Sequence, residues 1–529
     1  MSKKYLSILS VFGCVLATSQ IIAADSRHVV VVVWDGMRPD FVSEQNTPTL
    51  WKLAQSGVTF RNHHSVYPSA TNVNGVAIAT GVYPGHSGIL ANHVYRPELD
   101  AKKSIDVEAS AVVEKGDQWS AGKYVAAPTL AELVQDAGKT TAIATAKTVG
   151  LLLDRHVDPA RAKKSVTLFA GASLPGDAAA SLANTLGVFP PATNAGDRDA
   201  WTVKALTDFL WREQLPAFSL LWLSEPDDTE HKTAPGMPAA LAAIKSADEN
   251  LARVLAALDR LHARETTDVF VVSDHGFSTI SRSIDLSKIL KAAGLRVFTE
   301  FSEEPKVGDI MMVGNGGSVL FYVMQQDAAV TRRLVDFLQQ SNFAGVIFTK
   351  QRTAGTFKLS VAKIDNETSP DVVLAFRWSD SNNQLGVPGM IDADWQRAVG
   401  KGTHATLSRF DMHNTLIAAG PDFRGGLTSD LPSGNVDLAP TILRILGIGG
   451  GNMDGRVLSE AMGRSASRTD SSRGEIDNPV VKPETETLEA TNDFPIGKWR
   501  QYLRVSRVGS TIYLDEGNGS FVASKREND

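Results

Sequence analysis

The sequence predicts an α/β fold in which a mostly parallel central sheet carries helices on both faces. Apolar runs rich in β-branched residues recur along the chain, and segments with helical patterning separate them. Such continuous apolar runs are typical of strands that are buried on both faces. The predicted strands are Val29–Trp34, Thr141–Thr145, Phe218–Leu223, Val269–Val272 and Thr415–Ala419, and the predicted helices are Pro48–Gln55, Thr129–Ala137 and Ala239–Leu261.

The composition is that of a soluble globular protein with a large core, since 43% of the 529 residues are hydrophobic and 21% are charged. The formal net charge is −6, and no long basic run occurs. This balance argues against binding of a nucleic-acid polymer, which requires a positive surface. A small phosphate- or phosphonate-bearing molecule remains a suitable partner if a metal or a local cation supplies positive charge. Nothing in the composition specifies an oligomeric state.

Residues 1–24 have the layout of a cleavable signal peptide. Lys3 and Lys4 precede an apolar stretch that ends in small residues, and we expect cleavage near Ala23 or Ala24. The protein is then secreted or periplasmic and has no membrane span after cleavage; an uncleaved anchor is the alternative. The one cysteine, Cys14, lies in this segment, so the mature chain would have no disulfide and no thiol nucleophile. Phe12 and the short apolar run disfavour a lipoprotein.

A change of pattern along the chain predicts an inserted subdomain. Residues 284–378 contain shorter strands, glycine-rich turns and one helix, which is typical of a small α+β cap. Residues 25–283 and 379–463 then form the main domain. Residues 464–495 are polar and are predicted to be a flexible linker, and residues 496–529 are predicted to form a short β-rich tail.

Three of the predicted strands run into an aspartate. Asp35 follows the first strand, Asp227 follows Phe218–Leu223 after a short turn, and Asp274 follows Val269–Val272. In open α/β sheets, ligands bind at the carboxyl ends of the strands, where these side chains should converge. Carboxylates so close together resist joint ionisation. The sequence therefore predicts a bound cation at this edge.

Three histidines accompany these acids. His275 directly follows Asp274, His231 lies four residues after Asp227, and His404 precedes the last predicted strand. A spacing of four places His231 and Asp227 on one face if that stretch is helical. Mixed aspartate and histidine ligation without cysteine suits zinc, and manganese or iron fit the same donor types.

Thr71 opens a predicted helix in the segment YPSATNVNGVAIATG. The first turn of a helix presents free N–H groups that favour an anion. A threonine hydroxyl becomes a useful nucleophile when a metal ion coordinates it, and two metal ions can hold the attacking and leaving oxygens of a phosphoryl displacement. The alternative is that Thr71 serves only as a helix cap.

Six segments together resemble, in order, the conserved blocks of the alkaline phosphatase superfamily, and most closely its type I phosphodiesterase/nucleotide pyrophosphatase branch. The resemblance runs from about Val29 to Ile448 and leaves out most of the cap. It implies an alkaline phosphatase-like fold and two divalent metal ions, usually zinc. The segments are VWDGMRPD, PTLWKLAQSGVTF, YPSATNVNGVAIATG, SEPDDTEHKTAPG, VVSDHGF and GTHATLSRFD.

The resemblance also implies roles for individual residues. One set matches the ligands of the metal that carries the nucleophile, and a second set matches those of the other metal. Asn74 matches an asparagine whose side-chain amide holds a phosphoryl oxygen. The first set is Asp35, Thr71, Asp274 and His275, and the second is Asp227, His231 and His404.

The nucleophile segment departs from the diesterase pattern at two positions. Ala70 stands where many family diesterases have lysine, and Asn72 stands where phenylalanine is common. PSATNVN is more similar to phosphonoacetate hydrolase, a relative that carries lysines in a segment resembling TAIATAKTVGLLL. Lys147 matches one of these lysines, whereas Val149 does not match the other. We therefore predict that Lys147 binds substrate; a solvated lysine is the alternative.

The sequence thus predicts a secreted two-metal hydrolase of phosphoric esters, acting through Thr71 and a phosphothreonine intermediate. A phosphodiesterase/nucleotide pyrophosphatase is the first expectation. The alternatives on the same scaffold are a phosphonoacetate-type phosphonate hydrolase, a phosphomonoesterase and a non-catalytic pseudoenzyme. The lack of several spanning segments disfavours a membrane phosphoethanolamine transferase. The lack of a Cys/Ser-x-Pro-x-Arg motif disfavours a sulfatase.

Overall fold

The structure, a computed structural model, describes residues 27–155, 165–463 and 482–524. The predicted signal peptide and residues 464–481 of the predicted linker lie outside the described residues. Within the described part of the chain, a nine-stranded sheet forms the centre of the main domain. Its strands, in spatial order, are Leu427–Ser429, Val58–Phe60, Leu416–Ala419, Thr267–Val272, His28–Trp34, Phe218–Leu223, Thr141–Thr145, Val166–Phe169 and Ala172–Leu174.

The middle of this sheet is parallel, as predicted. His28–Trp34 pairs in parallel with both Thr267–Val272 and Phe218–Leu223, and Phe218–Leu223 pairs in parallel with Thr141–Thr145. The last predicted strand, Leu416–Ala419, instead runs antiparallel beside Thr267–Val272. Val166–Phe169 pairs in parallel with Thr141–Thr145 as well, so five neighbouring parallel strands end at the same edge of the sheet.

Helices cover both faces of the sheet. The central strand His28–Trp34 has apolar side chains on both faces, and each face packs against helices. Val31 and Val33 pack in one core with the helix Leu438–Leu446. Val30 and Val32 pack in another with the long helix Pro238–Arg260. The described α-helices are Pro48–Ser56, Thr71–Thr80, Pro84–Ser87, Ser110–Ser120, Leu130–Asp136, Gly150–Leu153, Asp177–Leu186, Ala195–Lys204, Asp227–Lys232, Pro238–Arg260, Leu286–Ala292, Ala328–Gln339, Arg409–Met412 and Leu438–Leu446.

A second lobe is built inside the predicted insertion. Its sheet packs against the helices Leu286–Ala292 and Ala328–Gln339. The sheet comprises, in spatial order among the described residues, Val297–Phe298, Ile310–Gly314, Ser318–Val323, Val372–Phe376, Ala344–Thr349 and Phe357–Lys358.

Smaller sheets complete the described part of the chain. One of these sheets has four strands, and its strand Gly402–Thr403 leads directly to His404. It comprises Trp378–Asn382, Pro388–Asp394, Ser278–Ile284 and Gly402–Thr403, and two further pairs join His63–His64 to Ser433–Gly434 and His93–Val94 to Ile105–Asp106.

The C-terminal region differs from the expected linker. Glu484–Phe494 is a strand that pairs along its length with Gly497–Val508, which in turn pairs with Thr511–Ala523. The linker prediction, which ran to residue 495, is wrong for this stretch. The segment is polar because it is an outer strand with one exposed side, while Leu488 and Ala490 pack against the core.

The tail sheet is anchored to the second lobe by buried polar contacts. The indole Nε1 of Trp499 donates to the carbonyl of Gly355 at 3.0 Å. Gln501 accepts from the amide of Ile347 at 2.8 Å and donates to its carbonyl at 3.2 Å. The side chain of Gln501 thus takes the place of a strand partner for the backbone of Ile347.

Among the described helices, none combines the length and the hydrophobicity of a membrane span.

We expect Gln501→Ala to lower the free energy of unfolding by about 1–3 kcal/mol, because it leaves the buried amide and carbonyl of Ile347 without partners. Urea denaturation measures the change. Glu486→Ala, at an exposed position of the same sheet, serves as the control and should stay within about 0.5 kcal/mol of the parent. Equal losses from both substitutions would contradict this anchoring role.

Candidate metal centre and active site

The three predicted aspartates meet at one edge of the central sheet. Asp35 directly follows the strand His28–Trp34, Asp274 lies just beyond Thr267–Val272, and Asp227 opens the helix Asp227–Lys232. Their exposed fractions are 0%, 0% and 2%, respectively. The parallel register of the neighbouring strands brings these side chains together, as the sequence predicted.

One carboxylate oxygen of each aspartate has no hydrogen-bond partner among the described residues. These buried oxygens are Oδ1 of Asp35, Oδ1 of Asp227 and Oδ2 of Asp274. Burial, reinforced by Asp274, raises the pKa of Asp35 well above its usual range, and burial raises the pKa of Asp274 to about 7. Buried charges are normally paired or bound to a metal. The donor set therefore fits a divalent cation.

The three predicted histidines are all held in one tautomer. In each, the ring Nδ1 donates to a backbone carbonyl: His231 to Gly402 at 3.1 Å, His275 to Gly276 at 2.9 Å and His404 to Ser69 at 2.8 Å. An imidazole whose Nδ1 carries the proton presents a free lone pair on Nε2. This second-sphere arrangement is typical of metal-binding histidines.

The free Nε2 atoms lie against the aspartate oxygens. Nε2 of His275 is 3.2 Å from Oδ2 of Asp274. Nε2 of His231 and of His404 are 3.3 and 3.6 Å from Oδ1 of Asp227. Burial lowers the pKa of His275, and burial together with the neighbouring histidines lowers that of His404 well below its usual range. Both rings are therefore neutral, as metal ligation requires.

Donor atoms converge in two groups. Asp35, Asp274 and His275 form one, and Asp227, His275 and His404 form the other, with the donor atoms of each group within 4.8 Å of one another. His275 belongs to both groups, whereas the resemblance assigned it to one ion. His231 lies outside these groups but faces Asp227 through Nε2.

The threonine hydroxyl lies beside this centre. Thr71 is the first residue of the helix Thr71–Thr80, as predicted, and its Oγ1 is 3.3 Å from Nε2 of His275. The preceding loop is fixed because Ser69 donates to the carbonyl of Thr406 at 2.9 Å and accepts from His404. The helix, the loop and one histidine are thus positioned together.

Asn74 does not present its amide to the centre. Its Oδ1 accepts from the amide of Val66 at 2.7 Å, and its Nδ2 lies 3.1 to 3.4 Å from the carbonyls of Val66, Pro68 and Ala70. The side chain is fully buried. Although it follows Thr71 by about one helical turn, it points back to close the loop before the helix. The expected phosphoryl contact is therefore not supported by this geometry.

Asn92 stands beside Thr71 instead, and the sequence reasoning missed it. Its Oδ1 accepts from the amide of Asn72 at 2.9 Å. This contact leaves the NH₂ group of Asn92 as the donor available to an incoming oxygen. No local pattern marked this residue, because it lies in a loop 21 positions after Thr71 and only tertiary contacts bring the two together.

Lys147 is ion-paired to the centre. Its Nζ is 2.9 Å from Oδ2 of Asp35 and 2.6 Å from Oδ2 of Asp227. Burial would lower the pKa of Lys147, but the aspartates outweigh it and hold the pKa well above the usual range. Trp222 also donates to Oδ2 of Asp35 at 2.9 Å. Lys147 therefore binds Oδ2 of Asp35 and of Asp227. Oδ1 of these two aspartates is left for the metal centre.

An open cleft of about 330 Å³ leads to these groups and is called the active-site cleft below. Its walls include Thr71, Asn72, Asn92, Lys147, His231 and His404. Of the predicted residues, Asp35, Asp274 and His275 lie fully buried behind it, and Asn74 alone points elsewhere.

These features define an α/β protein with a buried aspartate–histidine metal-ligand centre next to a hydroxyl at the start of a helix. The chain belongs to the type I phosphodiesterase/nucleotide pyrophosphatase family, whose model matches residues 29–379. This confirms the family indicated by the sequence, a family of phosphoric ester hydrolases.

Among curated proteins, the chain is 23% identical over 264 residues to the venom phosphodiesterase CdcPDE of Crotalus durissus collilineatus. It is 25% identical over 266 residues to human ectonucleotide pyrophosphatase/phosphodiesterase family member 1. These matches span 49% and 48% of this chain but only 27% and 24% of the relatives, so the chain spans about a quarter of their length.

Among solved structures, murine ectonucleotide pyrophosphatase/phosphodiesterase 5 aligns over 83% of this chain and 100% of its own. The TM-score is 0.58 at 18% identity. An inactive form of the same murine protein in complex with AMP gives a TM-score of 0.57 at 19% identity. The likeness confirms the predicted alkaline phosphatase-like α/β fold.

We expect the affinity of the metal-free protein for Zn²⁺ to fall as the pH is lowered through about 7. Burial raises the pKa of Asp274 to about 7, so this carboxylate then takes up a proton that competes with the ion, and binding weakens by about tenfold per pH unit. Competition titration with a zinc chelator dye at several pH values measures the slope. A flat profile between about pH 5.5 and 7.5 would contradict it.

Proposed function

We propose that this protein is a metal-dependent hydrolase of phosphoric esters and that its reaction is that of a phosphodiesterase/nucleotide pyrophosphatase. One observation carries the proposal: unpartnered carboxylate oxygens and three oriented imidazoles converge beside the hydroxyl of Thr71. The relatives, a venom phosphodiesterase and an ectonucleotide pyrophosphatase/phosphodiesterase, support the same class. The AMP complex of the murine neighbour supports a nucleotide-like or other small phosphorylated substrate.

We infer that the centre holds two divalent cations, most consistent with zinc. The aspartate and histidine donors, without cysteine, suit this ion. The first cation would be held by Asp35, Asp274, His275 and Thr71, and the second by Asp227, His231 and His404. When bound, such ions lower the pKa of a hydroxyl and stabilise developing negative charge on phosphoryl oxygens.

In the proposed reaction, Oγ1 of Thr71 attacks phosphorus. A bond forms between this oxygen and phosphorus as the bond to the leaving oxygen breaks, which gives phosphothreonine and the released alcohol or phosphate. Water then attacks phosphorus, the bond between phosphorus and Oγ1 breaks, and phosphate or a phosphomonoester leaves as the hydroxyl of Thr71 is restored. The NH₂ group of Asn92 donates to a non-bridging oxygen, where charge develops in the transition state. Lys147 adds positive charge at the same cleft.

A phosphonoacetate-type hydrolase or a phosphomonoesterase is the second candidate. The ammonium of Lys147 in the cleft favours it, because a cation supports a substrate that carries more than one negative charge. A panel of 4-nitrophenyl phosphate, bis(4-nitrophenyl) phosphate, a nucleotide 4-nitrophenyl ester and phosphonoacetate, each with and without chelator, separates these activities. Absence of bound metal and of all turnover would favour a pseudoenzyme.

We also propose export from the cytoplasm by a signal peptide at residues 1–24. Lys3 and Lys4 ahead of an apolar run support it, and similarity to venom phosphodiesterases is consistent with it. N-terminal sequencing of the exported protein should begin near Asp25. An intact N-terminus retained in a membrane fraction would favour an anchor.

We expect Thr71→Ala to lower kcat by at least about 1,000-fold, because the attacking oxygen is removed. Metal content, measured by elemental analysis, should stay near that of the parent, since the aspartates and histidines remain. Thr71→Ser retains a hydroxyl and should recover part of the rate. Full activity of the alanine variant with full metal content would show that Thr71 is not the nucleophile.

The two asparagines near Thr71 should respond differently to substitution. Asn92→Ala should lower kcat by about 100- to 1,000-fold through loss of a phosphoryl-oxygen donor. Asn74→Ala should lower the free energy of unfolding by about 1–3 kcal/mol through loss of buried hydrogen bonds. Single-turnover rates and urea denaturation on both variants separate the effects. The reverse assignment, with Asn74→Ala abolishing chemistry in a fully stable protein, would restore the original expectation.

A further inference from the structure

Two arginines of the active-site cleft, Arg198 and Arg397, have no carboxylate partner among the described residues. Arg198 lies on the helix Ala195–Lys204, donates to the carbonyl of Ala146 and lies 5.2 Å from the centre of the Phe189 ring. Arg397 follows the strand Pro388–Asp394. The Nε atoms of both arginines are buried and have no hydrogen-bond partner among the described residues. Both residues nevertheless line the cleft that contains Thr71.

The arginines reach the cleft from different elements. The contact of Arg198 with Ala146 holds it beside Lys147, which directly follows in the chain. Arg397 lies next to the backbone of His404: a side chain added at Gly316 would meet both the carbonyl of His404, at 3.3 Å, and Nε of Arg397, at 3.5 Å. One cation thus stands near the lysine and the other near the histidine.

The chemistry of the cleft walls favours a small, strongly charged occupant. Within the described residues, no phenylalanine, tyrosine or tryptophan lines the cleft. The rings in its wall are the imidazoles of His231 and His404, which face Asp227, so a nucleobase would lack the larger aromatic rings on which proteins commonly stack bases. The volume of about 330 Å³ is at the lower end of the range of about 300 to 1,000 Å³ that is usual for small-molecule sites.

The two arginines are not paired with the acids of the cleft. Lys147 is engaged by Asp35 and Asp227, whereas the arginines are not needed by the aspartate centre. Glu108 lies in the same wall, and burial raises its pKa to about 7, with Asp106 contributing. Asp227 and Asp228 also line this wall and lie 2.6 and 3.9 Å from the ammonium of Lys147, whereas no ion pair among the described residues joins either arginine to a carboxylate. Guanidinium forks bind carboxylates and phosphates through paired hydrogen bonds.

We propose that Arg198 and Arg397 form an anion subsite that recognises a second oxyacid group on the substrate, away from the scissile phosphorus. This inference rests on the proposed function. It selects, within that function, small phosphoric or phosphonic compounds whose other end is also anionic, over esters with a neutral or aromatic group there. The second group is a phosphate or a carboxylate, which share this chemistry.

Equilibrium binding to the metal-loaded Thr71→Ala protein tests the subsite without turnover. Isothermal titration compares orthophosphate with pyrophosphate, and methylphosphonate with phosphonoacetate, so that each pair differs by one phosphate or one carboxylate. We expect the second anionic group to tighten binding by about 10- to 100-fold in at least one pair. The pair that shows the gain identifies which oxyacid is preferred.

Arginine substitutions then assign the gain to residues. Arg198→Met and Arg397→Met should each reduce the affinity ratio of the favoured pair by about tenfold or more, and the lysine substitutions should retain an intermediate ratio. Arg332→Met, at an exposed site on the helix Ala328–Gln339, is the matched control and should keep the parental ratio. Ratios near one in the parent, or ratios unchanged by both methionine substitutions, would overturn the subsite.

A kinetic comparison separates failure of the subsite from failure of the proposed function. The enzyme with Thr71 intact is assayed on 4-nitrophenyl phosphate, on its bis(4-nitrophenyl) diester and on a matched monoester that carries a ring carboxylate. Thr71-dependent turnover with no preference for the carboxylate ester refutes the subsite alone. No Thr71-dependent turnover of any ester refutes the proposed function, and a parental binding preference that the arginine substitutions abolish would still support the subsite.

Discussion

The burial of three carboxylates at one sheet edge is the constraint on which the rest of this structure depends. Parallel strands bring Asp35, Asp227 and Asp274 out of water and close together. Burial makes their charged forms unfavourable, as the raised pKa values of Asp35 and Asp274 reflect. Lys147 compensates part of this cost by pairing with Oδ2 of Asp35 and of Asp227, and one oxygen of each of the three aspartates has no hydrogen-bond partner among the described residues. Buried carboxylates are normally paired or bound to a metal, so this group of aspartates suits bound cations.

The surrounding loops and helices fix the orientation of the histidine ligands and of Thr71. Backbone carbonyls bind the Nδ1 atoms of the three histidines, so that Nε2 of each is directed toward an aspartate. The loop before Thr71 shares one of these contacts through Ser69, and Asn74 closes the same loop from within. The position of the hydroxyl is therefore coupled to the positions of the ligands, and a change in one should disturb the other.

The sequence predicted the sheet, its principal helices and the aspartate–histidine centre, because these depend on local patterning and on the rule that parallel strands end together. It failed where tertiary contacts decide. Asn74 has a suitable spacing from Thr71 but turns into the loop, whereas Asn92 arrives from 21 residues away. Glu484–Phe494 has the composition of a linker and becomes a strand only because Gly497–Val508 provides its partner. Arg198 and Arg397 carry no sequence pattern that links them to the cleft.

The central claim is that the unpaired oxygens and oriented imidazoles hold metal ions, and anomalous diffraction at the zinc edge tests it most directly. Crystals grown with zinc should show two anomalous peaks, one beside Asp35 and Asp274 and one beside Asp227 and His404. The same map reports whether Lys147 keeps its contacts with the outer oxygens. An ordered centre with no anomalous peak, in which Lys147 alone balances the aspartates, would contradict the account.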